Sequence, residues 1–145
     1  MVEFDKSVIG VDSESATDDV EKGAIRKFAE AIGDDNPIYL DEEYCKEKGF
    51  DSVLVPPTFL TTFRASPVLD IKMDFGKVGL HGGQAYEFFK PIKASDMITY
   101  SNKVTEVFER DGRSGKMVFT IVETTFTNQD GEKVATAKST GIRRE

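Results

Sequence analysis

Apolar positions follow two different rhythms along this chain, changing near residue 76. In the first half they recur at helical spacing. Val20, Ala24, Phe28 and Ile32 lie on one stripe, widened by Ile25, Ala29 and Ala31, which predicts a helix over 17–32. Gly23 weakens its first turn and Gly33 supplies its stop. A second short helix fits Asp41 to Lys48, with Asp41 as N-cap and Gly49 closing it. Pro56-Pro57 interrupts the chain, and Thr58–Phe63 then starts a third, apolar and buried helix just inside a proline. The second half alternates and is rich in Thr, Val and Phe. It predicts strands over 78–90, 96–109, 115–127 and 132–143, with Asp111–Gly115 and Asn128–Gly131 as turns. Met1 to Val11 reads as a further strand. In the third of these segments Met117, Phe119 and Ile121 share one face, and Val118, Val122 and Phe126 the other. One face then covers a helix and the other meets a second surface. The fold class is α+β, helices first and an antiparallel meander after.

Length and composition narrow the function classes. The 145 residues suit one domain, 1–145, and eleven Phe with four Tyr supply bulky area for a core. A net charge of −7 argues against nucleic acid, whose binders cluster Lys and Arg; the short groups Arg26-Lys27 and Arg143-Arg144 leave room only for a local patch around one phosphorylated ligand. A single cysteine, Cys45, forms no internal disulfide and has no metal-ligand cluster around it in sequence. No apolar run approaches the roughly 20 residues of a membrane span, and the N-terminus lacks a signal pattern. The expectation is a cytoplasmic protein that meets neither membrane nor nucleic acid.

The least generic stretch is Gly33-Asp34-Asp35-Asn36-Pro37-Ile38-Tyr39-Leu40-Asp41, followed by Tyr44 and Gly49-Phe50. Read from its residues, it is a helix stop, two carboxylates, an Asx-Pro turn and a new helix start. Either a carboxylate is held there for general-base work, or Asp and Asn cap backbone donors in a solvated turn. His81 is the only histidine and sits beside Gly82-Gly83 at a strand start, where a backbone can approach a ligand closely. It is read either as a strand-end histidine bonded to backbone or as a ligand contact. No Gly-x-Ser-x-Gly elbow supports a nucleophilic triad. Cys45 on the acidic helix reads as a packed thiol, and Arg26 and Lys27 as a helix's solvent face.

The motif resembles the hydratase motif of the MaoC-like dehydratases, Gly-Asp-x-Asn-Pro-x-His-x-Asp followed by an acidic helix and Gly-Phe. Leu80-His81-Gly82-Gly83-Gln84-Ala85-Tyr86-Glu87-Phe88-Phe89-Lys90-Pro91-Ile92, with Ser95-Asp96 after it, is similar to a strand of the family's N-terminal-type branch, the FAS1-like dehydratases. With Ala29-Glu30-Ala31 and Pro56-Pro57-Thr58-Phe59, the resemblance runs from about residue 17 to 100. It implies a hotdog fold, an antiparallel sheet wrapped around a long central helix, here beginning near Pro57, with two such domains pairing through their sheets. It also implies reversible hydration of a trans-2-enoyl thioester, on coenzyme A or acyl carrier protein, to the (R)-3-hydroxyacyl thioester. The reaction transfers no hydride or electron, so no cofactor is implied.

Carried over by position, the family's catalytic Asp is Asp34 and its Asn is Asn36, while its His is Tyr39. A histidine near pKa 6.5 accepts a proton at neutral pH; a tyrosine near 10 donates a hydrogen bond instead. Where catalytic members carry His-Gly at the central helix, this chain has Pro56-Pro57, and Pro57 has no N–H to offer a developing oxyanion. Thr58 carries the next N–H. Asp34, Asn36 and Tyr39 are thus the candidate catalytic set, with Pro57, Thr58, His81 and Gly82 as candidate substrate contacts and no metal ligands. The resemblance implies a supporting, acyl-binding subunit paired with a catalytic MaoC-like subunit. Alternatives are a self-sufficient homodimeric hydratase using Asp34, a non-catalytic acyl-thioester-binding protein, or a hotdog thioesterase. The thioesterase would need an acid such as Glu123, which reads more simply as a solvated strand edge.

Overall fold

The computed structural model describes residues 1–145. One antiparallel sheet contains β1 (Ala16–Asp19), β2 (Val78–Phe88), β3 (Met97–Gly112), β4 (Gly115–Thr127) and β5 (Lys133–Arg144), in the order β1-β3-β4-β5-β2. The four long strands follow the alternating segments of the sequence, and the β3–β4 and β4–β5 turns fall at the Gly-containing signals. Two α-helices precede β2, α1 (Lys22–Ala31) and α2 (Glu42–Glu47), as does a 3-10 helix, Pro57–Thr62. None of the helices is long and apolar enough to cross a membrane.

Three expectations need correction. The helix predicted over 17–32 begins only at Lys22, because residues 16–19 pair with β3, Thr17 opposite Thr99 and Asp18 opposite Ile98. The Thr17 and Thr99 hydroxyls share a 2.7 Å hydrogen bond, and Asp18 Oδ2 accepts one of 2.6 Å from the Tyr100 hydroxyl. These contacts outweigh helical periodicity in a stretch whose first turn already carries Gly23. Met1–Val11 is not a strand: Asp5 caps a 3-10 turn, Lys6–Val8, and Gly10 has φ +80°.

The third correction concerns the long helix expected from Pro57. Only the six-residue 3-10 helix Pro57–Thr62 forms. Thr61 and Thr62 return their hydroxyls to the carbonyls of Thr58 and Phe59, each at 2.8 Å, and Arg64 Nε donates to Thr61 O at 2.8 Å. Such local bonds compete with helix continuation. Ala65 N–H is then taken by the Tyr100 hydroxyl at 2.9 Å, and Pro67 disfavours helical backbone at Ser66. The chain leaves the helix and runs along the sheet instead of crossing it.

Two apolar clusters hold this arrangement. In the larger, Ile25 of α1, Cys45 of α2, Val53, Phe59 and Leu60 pack against Ile98, Tyr100 and Phe126 of the sheet. A relay of aromatic rings links these layers: Phe28 to Phe59 (5.5 Å, edge-on), Phe59 to Phe63 (5.7 Å), Phe63 to Tyr100 (5.4 Å) and Tyr100 to Phe126 (5.8 Å). Each such ring carries large apolar area, and the edge-on pairs add about 0.5–1.5 kcal/mol apiece. At the other end of the sheet Ile71 and Met73 cover Val104 and Val118, with Val2, Phe4, Val8 and Ile9 packed around them. Between the clusters Asn102, itself buried, donates from Nδ2 to Ser66 O (2.9 Å) and Pro67 O (3.2 Å) and accepts from the Thr124 hydroxyl (2.6 Å). That tie pins the extended segment to β3.

Candidate functional site

The motif loop between α1 and α2 is built by its own polar residues. Gly33 adopts φ +71°, a conformation that favours glycine and turns the chain off α1. Asp34 anchors the exit by donating its N–H to Ala29 O at 2.9 Å, and its Oδ1 accepts Asn36 N–H at 3.0 Å. Asn36 Oδ1 accepts Ile38 N–H at 3.1 Å, capping the 3-10 turn Pro37–Tyr39, and Asp41 Oδ1 accepts Tyr44 N–H at 3.1 Å to start α2. Cys45 Sγ donates to Ile38 O at 3.2 Å from beneath, and burial pushes its thiol up in pKa. Cys45 is therefore a packed support of the loop and a poor nucleophile. Of the two sequence alternatives, the capping turn is the one this geometry displays: Asp34 uses one oxygen on backbone, and the residue is half-buried.

Tyr39 points into an apolar cleft of about 340 Å³ with Ile38, Leu54, Val55, Pro57 and Phe88 among its walls. Burial, and then the charge of Asp34, raise the Tyr39 hydroxyl above its ordinary value of 10.0. A group so shifted stays protonated at neutral pH and serves as a donor. Lys90 at the rim of the cleft is paired with Glu132. Pro57 opens the 3-10 helix without an N–H, so Thr58 supplies its first donor, one of the opening N–H groups that no intrahelical carbonyl reaches.

A second, larger cavity of about 730 Å³ lies on the sheet face left uncovered where the 3-10 helix stops. Thr58 and His81 line it, together with Arg64, Gln84, Tyr86 and Ser139. The chain thus divides its predicted contacts. Tyr39 and Pro57 meet in the apolar cleft, Thr58 and His81 in the open cavity, and Asp34 and Asn36 stay on the loop, with Asp34 near enough to Tyr39 for its charge to act. Gly82 sits where the β2–β5 register shifts, and a Cβ there would come within 2.6 Å of Ile142 Cδ1. Its small size has a packing reason. Arg26 and Lys27 are exposed on α1. Glu123 is on the central strand β4, not at an edge, with Lys103 and Lys138 as its cross-strand partners. No three His, Cys, Asp or Glu side chains gather as a metal site would require.

Residue-by-residue reading passed over Gln84, Tyr86, Thr124 and Ser139. A signal for them was present. Tyr86 and Gln84 share strand parity, and so do Phe126 with Thr124 and Ala137 with Ser139. The core-facing side of three neighbouring strands therefore carries polar residues over two adjacent levels, Thr124 beside Ala137 and Tyr86, then Ser139 beside Gln84, which a fully packed sheet would not do.

Comparison with known proteins agrees with this construction. The family model described as "FAS1-like, dehydratase domain region" matches residues 7–137. A "UPF0336 protein" of Streptomyces avermitilis is 36% identical over 112 residues, covering 72% of this chain and 73% of that protein. Among solved structures, a chain of the C-terminally truncated HadBC (3R-hydroxyacyl-ACP dehydratase) complex of Mycobacterium tuberculosis superimposes with a TM-score of 0.75 at 25% identity, over 93% of this chain and 96% of that one. The (R)-hydratase PhaJ1 of Pseudomonas aeruginosa shares the fold, with a TM-score of 0.68 at 21% identity over 94% and 82% of the two chains. With its curled five-stranded sheet and its motif loop, the chain has the hotdog fold and belongs to the FAS1-like dehydratase-region family.

Proposed function

We propose that this chain is the supporting, acyl-binding subunit of a heteromeric (R)-specific enoyl-thioester hydratase/3-hydroxyacyl-thioester dehydratase. The observation that carries the reading is the condition of Tyr39. The loop that would present a catalytic pair is intact, yet the base position holds a hydroxyl whose proton affinity is raised by burial and by Asp34. Hydration needs a base to take a proton from water as its oxygen bonds to C3 of the alkene. It also needs donors for the enolate oxygen that forms while C2 awaits its proton. Tyr39 is unsuited to the first task at neutral pH, and Pro57 has no N–H for the second. Both are left to a catalytic MaoC-like partner, while this chain walls the acyl site.

The exposed edge of β2 supports pairing. This strand bonds only to β5, and Leu80, Phe88 and Phe89 near its free edge are 45%, 42% and 47% exposed. Long uncovered edges with apolar side chains are ordinarily protected by another chain. The substrate is an acyl thioester of coenzyme A or acyl carrier protein, in a cytoplasmic setting, without cofactor. A homodimer in which Asp34 and Tyr39 act together is the second reading, favoured by the electrostatic proximity of these two groups. Neither reading uses Glu123, which lies between Lys103 and Lys138 and lines neither the apolar cleft nor the larger cavity.

Reconstitution tests the proposal. Mixed with a MaoC-like subunit carrying the intact His and Gly, the chain is expected to raise enoyl-CoA hydration well above that subunit alone. A mixture no more active than the catalytic subunit would contradict it.

A further inference from the structure

The larger cavity combines apolar walls, Leu60, Phe63, Phe126 and Ala137, with more polar side chains than a plain alkyl chain would select. Binding sites for apolar groups are walled by apolar side chains with a few polar ones for orientation. Here β2 contributes Gln84 and Tyr86, β5 contributes Ser139, and Arg64 and His81 add further polar groups. The strand register explains why these cluster. Gln84 is opposite Ser139 and Tyr86 opposite Ala137, so adjacent strands turn side chains of the same level toward the same space. No carboxylate lines the cavity. Its polar equipment is rich in N–H and O–H donors and has one full positive charge, which suits oxygen acceptors. The Tyr86 hydroxyl is buried and has no hydrogen-bond partner in the protein, an arrangement that calls for an acceptor from outside the chain.

Resting on the acyl-thioester reading above, we infer that this cavity receives the distal part of an acyl group bearing an oxygen function, a hydroxyl or a carboxylate, in preference to an unsubstituted alkyl chain. Gln84, Tyr86 and Ser139 are the specificity-determining side chains, and Arg64 favours the carboxylate form. The cavity exists because the 3-10 helix ends at Thr62 and the following segment is held against β3. The fold itself therefore brings these polar groups to the cavity, on the core-facing side of the sheet.

Calorimetric titration of the chain with octanoyl-CoA, ω-hydroxyoctanoyl-CoA and the mono-CoA thioester of octanedioic acid, with free coenzyme A as reference, tests this. At least one oxygenated thioester is expected to bind roughly tenfold more tightly than octanoyl-CoA, the scale of one or two net hydrogen bonds. The gap is expected to shrink in Gln84→Leu and in Tyr86→Phe, whose folding is checked by circular dichroism. The carboxylate and hydroxyl arms show which oxygen function the site prefers. Octanoyl-CoA binding as tightly as both oxygenated thioesters would overturn the inference and leave the acyl-thioester reading standing. Equal affinity for all three thioesters and free coenzyme A would overturn both.

Discussion

Pro57 belongs to one cavity and its neighbour Thr58 to the other, yet the two spaces are unlike. The cleft beside the motif loop is small, apolar and packed against the main core, with Tyr39 as its principal polar group. The cavity on the open sheet face is twice as large, mixes polar side chains into apolar walls, and owes its existence to a helix that stops early. On the proposed reading, the first is where Tyr39 and Pro57 stand in place of the base and the N–H donor that hydration needs. On the reading proposed above, the chain holds the acyl ligand and leaves its transformation to a partner.

Mutations on the two sides should therefore behave differently. Phe126→Ala, which removes a ring 2% exposed that packs in the main core and borders the larger cavity, is expected to cost about 3–5 kcal/mol in denaturant unfolding. A cost below about 1 kcal/mol would mean that the aromatic relay is not what docks the 3-10 helix. Asn102→Ala strips the tie to Ser66, Pro67 and Thr124 and leaves buried partners unpaired; a loss of about 1–3 kcal/mol is expected. Greater amide exchange in residues 63–67 should accompany it. Ser139→Ala on the cavity wall should change stability by no more than about 0.5 kcal/mol, since it faces open space rather than packed neighbours. An effect as large as that of Phe126→Ala would erase the distinction between the two sides.

A smaller effect sharpens the account of the motif loop. The Asp34 charge contributes to the raised Tyr39 pKa, so Asp34→Asn should lower the alkaline midpoint of the Tyr39 phenol, read as the ultraviolet titration difference against Tyr39→Phe. Burial, the larger cause, should still hold the midpoint above 10.0. Tyr86 and Tyr100 are raised as well, chiefly by burial. Groups whose folded pKa exceeds the unfolded one keep their protons longer when folded. Their contribution to stability is thus intact below the unfolded value and lost as pH rises through the folded value.

Much of this was legible in the residues. The four long strands follow directly from period-two alternation, and α2 from Asp41 and Gly49, because such signals are local. The motif loop was legible by resemblance, and its turn chemistry from Asn36-Pro37. What failed was decided at a distance. Residues 16–19 look helical alone but pair with β3 some eighty residues away. The long helix expected at Pro57 was inferred by analogy, whereas Thr61, Thr62 and Ser66-Pro67 already carried the competing local signals. The polar cavity needed three strands in register before its lining became one place.

The central claim concerns Tyr39 and Pro57, and one measurement meets it directly: hydration of crotonyl-CoA and longer enoyl-CoAs by the purified chain alone, followed at the enoyl-thioester absorbance, beside equilibrium binding of the same thioesters. The account predicts saturable binding without turnover, in wild type and in Asp34→Asn alike. Turnover by the chain alone that disappears in Asp34→Asn would contradict it and make this protein a catalyst in its own right.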